Sequence, residues 1–376
     1  MKYFLSTLLA LALLLPLPAR AEDLSVESES CILMEKTTGQ ILYAENEHQR
    51  LEPASVTKIM TLLLTMEAID SGALKYDDMV TASAYACSMG GSQIWLKEHE
   101  QMTVEDMLKA VCVVSANDCS VALAEHIAGS VDAFVDRMNK RAEELGMADT
   151  HFENPTGLPA EGHLTSAHDI AIMSRELILH HPDIRRFTTI WRDSLRDGAS
   201  ELTNTNKLIR FYPGATGLKT GSTSSAMFCL SATAEKDGME LIAVIMKSPT
   251  SQKRFESAKT LLNYGFAAYG LKTIEPPEEL GPIPVKLGDS GYILPTAPED
   301  AALLAEKAKL PGIEVHMELM EELHAPVEKG QQVGTLEAVS EGQVLSTYPI
   351  LADRAVQRLT YWDIFRQCLH TAFLAG

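Results

Sequence analysis

The stretch SSAMFCLSATAEKDGMELIAVIMKS, residues 224–248, carries the pattern that decides the fold. Two apolar runs flank Lys236-Asp237-Gly238, and Asp-Gly between such runs is the strongest short-range indication of a β-hairpin. A second hairpin is predicted near the start of the chain, where CILMEKTTGQILYAEN (31–46) places two apolar runs around Lys36-Thr37-Thr38-Gly39. Strand pairs therefore occur early and late in the sequence.

Between and after these hairpins the sequence has the periodicity of helices. Helices are predicted in four segments: 52–69, 103–146 (interrupted at Gly129), 166–181 and 250–270. Thr103 followed by Asp106 predicts a helix N-terminus, and Gly129 and Gly146 predict helix ends. Strands at both ends of a unit with helices between them predict an α/β sandwich whose antiparallel sheet joins early and late segments.

The two ends of the chain differ from this central unit. Residues 1–21 combine Lys2, a short apolar run and Ala19-Arg20-Ala21, which together predict a cleaved secretory signal. Prolines in the segment 272–291 predict a linker, and the short alternating runs beyond it predict a small all-β module. Residues 351–376 form an amphipathic pattern when wound as a helix.

Composition narrows the function. The chain has 376 residues, 46% hydrophobic residues and a formal net charge of −19, which is unsuited to binding nucleic acid. Its six cysteines are dispersed and include no Cys-x-x-Cys pair, so a zinc site or a disulfide scaffold is not expected. Most are expected to be buried free thiols: Cys31, Cys87, Cys112, Cys119, Cys229 and Cys368.

A serine and a lysine stand at the start of the first long helix, in EPASVTKIMTLLLTMEAI (52–69). Ser55 and Lys58 form a Ser-x-x-Lys motif, which chance alone produces about once in a chain this long. Its position makes a catalytic role more probable than chance occurrence, because residues three apart share a helix face and the helix N-terminus favours developing negative charge. A lysine on a buried helix face is costly unless it is paired or neutral.

Two further motifs follow in the same chain. Ser115-Ala116-Asn117 could simply interrupt a helix, and Lys219-Thr220-Gly221 could simply be a turn before a strand. Taken in order, however, Ser-x-x-Lys, Ser-x-Asn and Lys-Thr-Gly form a set found in penicillin-binding proteins and class A β-lactamases. The three motifs together indicate acyl transfer by an activated serine.

On these motifs the chain resembles the low-molecular-weight penicillin-binding proteins that act as serine-type D-alanyl-D-alanine carboxypeptidases. The likeness also includes HFENPTGL (151–158) and APVEKGQQVGTL (325–336). It implies a β-lactamase-like α/β catalytic domain over 22–272, with helices on both sheet faces and a helical subdomain. A small β-rich domain over 273–350, an amphipathic membrane-anchoring helix over 351–376, and no cofactor or metal are also implied.

The resemblance gives each motif residue a role. Ser55 is expected to be the nucleophile and Lys58 its base, with the pKa of Lys58 lowered by burial and by the nearby cation Lys219. Ser115 is expected to relay a proton to the departing D-alanine. Asn117 is expected to bind the substrate's peptide group.

The remaining roles concern the substrate's ends and its developing charge. Lys219 and Thr220, with Arg254, are expected to bind the terminal carboxylate. Gly221 completes the Lys-Thr-Gly motif, and the backbone N–H groups of Ser55 and Ser222 are expected to form the oxyanion hole.

Several different functions stay open at this point. A β-lactamase would share the acylation step, although Ala116 replaces its usual aspartate and the C-terminal β domain is foreign to that family. A DD-endopeptidase and a non-catalytic cell-wall-binding protein are two more candidates. The neighbouring histidines 151, 163 and 168 could suggest a zinc peptidase, but they lack its usual ligand spacing.

The expected partners and location follow from the same features. The substrate is expected to be a peptidoglycan stem peptide ending in D-Ala-D-Ala, with β-lactam antibiotics as inhibitors. The signal sequence predicts export. The aromatic and arginine residues of 351–376 predict attachment to the outer face of the cytoplasmic membrane.

Overall fold

The structure is a computed structural model and describes residues 24–298 and 300–366. The predicted signal sequence (1–21) and Cys368 lie outside the described residues. Strands and helices alternate irregularly in the first half: β1 (Ser30–Glu35), β2 (Ile41–Glu45), α1 (Lys58–Asp70), β3 (Met79–Thr81), α2 (Ala84–Cys87), β4 (Gln101–Thr103), α3 (Val104–Val114), α4 (Asn117–Ala128) and α5 (Val131–Glu144).

The next elements complete the sheet and cover it: α6 (Ala167–His180), α7 (Arg185–Thr188), β5 (Arg192–Leu195), β6 (Ser200–Thr203), α8 (Leu208–Phe211), β7 (Ala215–Thr223), β8 (Met227–Lys236), β9 (Met239–Ser248) and α9 (Ser251–Ala268). A five-stranded antiparallel sheet has the order β2-β1-β9-β8-β7. The pairing of β1 with β9 confirms that the sheet joins early and late segments.

Both predicted hairpins are confirmed. Lys236 pairs with Met239 across a two-residue turn in which Asp237 and Gly238 have φ values of +52° and +78°. Positive φ at both central residues defines the turn that matches the twist of paired strands, and Asp-Gly adopts it at little cost. The hairpin 31–46 likewise forms the antiparallel pair β1–β2.

Strand β9 shows why its sequence is apolar without interruption. Ile242, Val244 and Met246 belong to the core between the sheet and helices α1, α3, α4 and α6. Their neighbours Leu241, Ala243 and Ile245 belong to the core beneath α9. Because successive side chains of a strand point to opposite faces, a sheet covered on both faces needs apolar residues at every position.

The residues predicted to cap or end helices do so in the structure. The Thr103 hydroxyl accepts a hydrogen bond from the Asp106 N–H at 3.1 Å, and Ser166 caps α6 in the same way. Gly129 follows α4 with φ +84°. The five cysteines within 24–298 are free thiols, and four of them are buried.

The chain continues with a second group of strands: β10 (Tyr269–Thr273), β11 (Ile283–Lys286), β12 (Tyr292–Ile293), β13 (Pro295–Thr296), β14 (Ala302–Glu306), β15 (Ile313–Leu319), β16 (Leu323–His324), β17 (Gln332–Ser340) and β18 (Gln343–Ala352). Most of them pack around a core of their own, whereas Leu271 of β10 and Leu304 of β14 pack in the core beneath α9. Strand β10 crosses the expected domain junction at residues 272–273 and pairs with β14. The fold is therefore α/β followed by a β-rich unit.

The C-terminal helix begins later than predicted. Residues 351–352 end β18 and residues 353–360 are irregular, so the helix expected from 351 starts at 361 within the described part of the chain. Tertiary pairing explains the error, because Val356 is fully buried and exchanges backbone hydrogen bonds with Val327. No helix in the described segments has the length and apolarity needed to cross a membrane.

Candidate active site

Ser55 lies in a short 3-10 turn, Ala54–Thr57, that leads into α1. Its hydroxyl oxygen is 3.0 Å from the side-chain nitrogen of Lys58, one helical turn later. Two glycines press against this turn: a Cβ at Gly221 would lie 2.9 Å from the Ser55 nitrogen, and one at Gly157 would lie 1.8 Å from the Ala54 oxygen. The serine backbone is thus held between two chain segments that only glycine permits.

Lys58 is fully buried and surrounded by acceptors. Its Nζ donates to Ser55 Oγ, to Asn117 Oδ1 at 2.6 Å and to the Thr156 carbonyl at 2.7 Å. Burial lowers the pKa of Lys58 well below its usual value, and the charge of Lys219 lowers it further. A neutral amine has a lone pair for the serine proton, and the three acceptors match the ammonium formed after it takes that proton.

Ser115 and Asn117 stand where α3 gives way to α4. Ser115 ends α3 in the left-handed region with φ +65°, and its buried hydroxyl has no hydrogen-bond partner among the described residues. The Asn117 side chain accepts from Lys58 and donates to the Gly90 carbonyl at 2.6 Å. Ser115 Oγ is therefore available to another group, whereas Asn117 also orients Lys58.

The Lys-Thr-Gly motif lies on β7, an edge strand of the large sheet. Lys219 is almost fully buried, and burial lowers its pKa to about 7, with the charge of Arg254 acting in the same direction. Thr220 Oγ1 donates to Thr205 Oγ1 at 2.7 Å, and Ser222 is exposed. An edge strand leaves backbone groups free to pair with an extended peptide.

Arg254 reaches this strand from the first turn of α9. Its Nη1 donates to the carbonyls of Gly221 and Cys229, each at 3.1 Å, and its Nη2 donates to Ser251 Oγ. The guanidinium is nearly buried, and burial lowers its pKa to about 10. It therefore supports the backbone of the motif, and its predicted contact with a carboxylate stays a prediction.

Sequence reasoning missed three residues that hold the site together. Thr156 contributes only its carbonyl, and the sequence of the NPTGL loop that presents it indicates no more than a structural role. His163 joins this loop to the turn that carries Ser55: its Nε2 lies 2.8 Å from Thr57 Oγ1, and its Nδ1 accepts from the Glu153 N–H. Burial lowers the pKa of His163 to about 4, so the ring is neutral at pH 7.

Asp118 is the third missed residue. Its fully buried carboxylate accepts backbone hydrogen bonds from Ile94, Leu96 and Cys119. The acidic residue directly after Asn117 was the available signal, but Ile94 and Leu96 lie 24 and 22 positions upstream. Asp118 fixes the loop that borders the cleft.

The structure thus brings the three predicted motifs into one cleft. A hydroxyl beside a buried amine, a second buried lysine and an unpartnered hydroxyl are the parts needed for transfer of an acyl group through a serine ester.

Comparison with known proteins agrees with this chemistry. A family model for D-alanyl-D-alanine carboxypeptidase matches residues 18–250, and one for the C-terminal domain of penicillin-binding protein 5 matches residues 272–358. The D-alanyl-D-alanine carboxypeptidase DacF of Bacillus subtilis (strain 168) is 41% identical over 383 residues, covering 98% of each chain.

Two solved structures are similar as well. Penicillin-binding protein 5 from Haemophilus influenzae has a TM-score of 0.76 and 32% identity, covering 89% of this chain and 98% of that one. Penicillin-binding protein D2 from Listeria monocytogenes, in its ampicillin-bound form, has a TM-score of 0.60 and 29% identity, covering 65% and 99%. The chain belongs to the serine-type D-alanyl-D-alanine carboxypeptidase family and is an enzyme of that class.

Proposed function

We propose that Ser55 is the nucleophile and Lys58 the general base of this carboxypeptidase. The distance of 3.0 Å between Ser55 Oγ and Lys58 Nζ carries the proposal, together with the lowered pKa of Lys58. The neutral amine takes the hydroxyl proton while Oγ bonds to the carbonyl carbon of the penultimate D-alanine.

The tetrahedral intermediate then collapses to an acyl-enzyme. Its oxyanion is held by the backbone N–H groups of Ser55 and Ser222. Ser115 gives its hydroxyl proton to the departing D-alanine nitrogen and receives one from protonated Lys58, so the proton taken from Ser55 ends on the leaving group. The buried, unpartnered hydroxyl of Ser115 supports this relay. Water attacks the ester next, with Lys58 again the base.

The substrate we propose is a peptidoglycan stem pentapeptide ending in D-Ala-D-Ala. Its C-terminal carboxylate would be bound by Lys219 and Thr220, with Gly221 allowing close approach and Arg254 adding positive charge nearby. Asn117 would bind the peptide group while it orients Lys58. A β-lactam would occupy the same cleft, which the ampicillin-bound relative supports.

Covalent labelling tests the nucleophile. Purified protein should form a stable adduct with a fluorescent penicillin, and Ser55→Ala should abolish it. Ser71→Ala, an exposed serine just after α1, is the matched control and should label like the wild type. Persistent labelling of Ser55→Ala would overturn the assignment, and loss of labelling in Ser71→Ala would show that the assay reports folding.

We further propose that the chain is exported through its signal sequence, residues 1–21, and attached to the outer face of the cytoplasmic membrane by its C-terminal helix. In the described part of that helix, Tyr361, Trp362 and Phe365 are 77%, 66% and 46% exposed. Exposed aromatic residues suit a lipid headgroup interface. Arg358 and Arg366 would offset repulsion between anionic lipid and a chain of net charge −19.

Cell fractionation tests the anchor. A version stopped after Thr360 preserves the buried Val356 and removes residues 361–376. Full-length protein should sediment with membranes and the shortened protein should not. A full-length Trp362→Ser/Phe365→Ser double variant should be released in the same way if apolar contact is responsible. Equal distribution of all three proteins would contradict the proposal.

A further inference from the structure

Trp95 is the feature that the carboxypeptidase mechanism leaves unexplained. Its side chain is 75% exposed, while its neighbours Ile94 and Leu96 are buried. It lies close in sequence to the wall of the cleft, because Asn117 donates to the carbonyls of Gly90 and Ser92 at 2.6 and 2.7 Å. A large aromatic side chain is thus presented to solvent on the segment whose Gly90 and Ser92 carbonyls bind Asn117.

Trp95 has a backbone conformation that is unfavourable for a tryptophan. Its φ of +56° lies in the left-handed region, which is unfavourable for a residue with a bulky side chain. The amides on either side, those of Ile94 and Leu96, each donate to the buried carboxylate of Asp118 at 3.1 Å. The Ile94 carbonyl accepts from Arg196 Nη1 at 2.9 Å. Strain together with exposure, both fixed by buried partners, points to a binding role.

Arg196, which binds the Ile94 carbonyl, also lines a polar groove. Arg196 and Glu100, which contact each other at 2.7 Å, line a cavity of about 670 Å³ between β4 and the β5–β6 hairpin. Ser194, Asp106 and Asp197 also line it. The Arg196 Nη2 atom is buried and has no hydrogen-bond partner among residues 24–298 and 300–366. Trp95 does not itself line the cavity, but the carbonyl of its neighbour Ile94 binds Arg196, which does. An aromatic face combined with hydroxyl, carboxylate and guanidinium groups suits a sugar ring, which has both an apolar face and many hydroxyls.

We propose that Trp95 and this groove form a subsite for the glycan part of the substrate. An N-acetylated amino-sugar ring stacks on the indole, and its hydroxyl and amide groups bind in the groove. The inference rests on the proposed function, since a stem peptide delivers the sugar. Four residues remain between the bond that Ser55 attacks and the sugar, and an extended chain of that length spans about 14 Å.

The test compares two substrates that share one pentapeptide. One carries the disaccharide of N-acetylglucosamine and N-acetylmuramic acid, and the other carries no sugar. The measurement is kcat/KM for D-alanine release by full-length wild type, Trp95→Ala, Trp95→Phe and Phe211→Ala. Phe211 is an exposed aromatic residue (59%) that does not line this groove, which makes Phe211→Ala the matched control.

Wild type should prefer the disaccharide substrate by about tenfold, the effect of one stacked aromatic contact. Trp95→Ala should bring the ratio of the two kcat/KM values close to one, while Trp95→Phe and Phe211→Ala should keep most of the preference. A wild-type ratio of one, or an equal fall for both substrates in Trp95→Ala, would overturn the subsite. Failure of the proposed function would differ, because wild type would then release D-alanine from neither substrate.

Discussion

The side-chain amide oxygen of Asn117 lies 2.6 Å from the side-chain nitrogen of Lys58. This amide is neutral, whereas a carboxylate at the same position would stabilise the protonated form of Lys58. The choice of Asn over Asp matters because Lys58 must lose its proton to act as a base. Burial and the charge of Lys219 both lower its pKa, and a neutral amide does little to oppose them.

Asn117→Asp should therefore move the pH dependence of acylation. A negative charge at this distance raises the pKa of Lys58, so the rising limb of the acylation rate should shift to higher pH by about 1 unit or more. The measurement is the rate of fluorescent-penicillin labelling from about pH 5 to about pH 11, a range that extends from the pKa of strongly perturbed buried lysines to above the ordinary lysine pKa. Asn263→Asp, which adds the same charge on the exposed face of α9, should leave the limb in place. An unchanged limb in Asn117→Asp would contradict the role of Lys58 as base.

Lys219 should make the stability of the enzyme depend on pH. Its folded pKa of about 7 lies below the ordinary value of 10.5, so the unfolded chain binds more protons between these values. The free energy of unfolding should rise with pH in that window and fall as pH drops toward 7. Lys219→Met removes this contribution, so it should gain stability over wild type at pH 6 and gain less at pH 9.

Urea denaturation at the two pH values measures the effect. Lys140→Met, which alters a lysine that is 76% exposed, should show no such change between pH 6 and pH 9. A difference between Lys219→Met and wild type that stays constant with pH would show that Lys219 carries its proton equally in both states.

The penicilloyl enzyme should be long-lived. Class A β-lactamases hydrolyse this ester with a glutamate acting through a water. Here the acidic residue that directly follows the Ser115-Ala116-Asn117 motif, Asp118, is fully buried and already accepts three backbone hydrogen bonds, so it holds the loop in place and is not free to activate a water. We expect D-alanine release from a pentapeptide, with slow turnover of penicillin. Rapid, repeated hydrolysis of nitrocefin without D-alanine release would instead favour a β-lactamase.

The sequence was most informative where structure depends on nearby residues. The turn at Asp237-Gly238 and the cap at Thr103 are set by the preferences of one or two side chains, so both could be predicted. The catalytic motifs could be recognised because their residue types, order and spacing resemble those of the penicillin-binding protein family.

Contacts between distant segments could not be predicted. Lys58 donates to the backbone carbonyl of Thr156. Every residue has such a carbonyl, so the side chain at position 156 gives no indication of this contact. Residues 353–360 have a helical pattern, yet the pairing of Val356 with Val327 outweighs it. Local propensity is a weak preference that tertiary contacts override.

Gly157 allows a test of another contact between distant segments. Its φ is +81°, and a Cβ there would lie 1.8 Å from the Ala54 oxygen in the turn that carries Ser55. Gly157→Ala should therefore destabilise the fold by about 2 kcal/mol or more and slow penicillin labelling even where the protein stays folded. Gly72→Ala is the matched control, because Gly72 has φ +75° but nothing within 4 Å of its added Cβ. Gly72→Ala reports backbone strain alone, so the extra loss in Gly157→Ala, measured by urea denaturation and by labelling rate, reports the close approach. Equal stability and equal labelling rates for the two variants would show that Gly157 does not position the nucleophile.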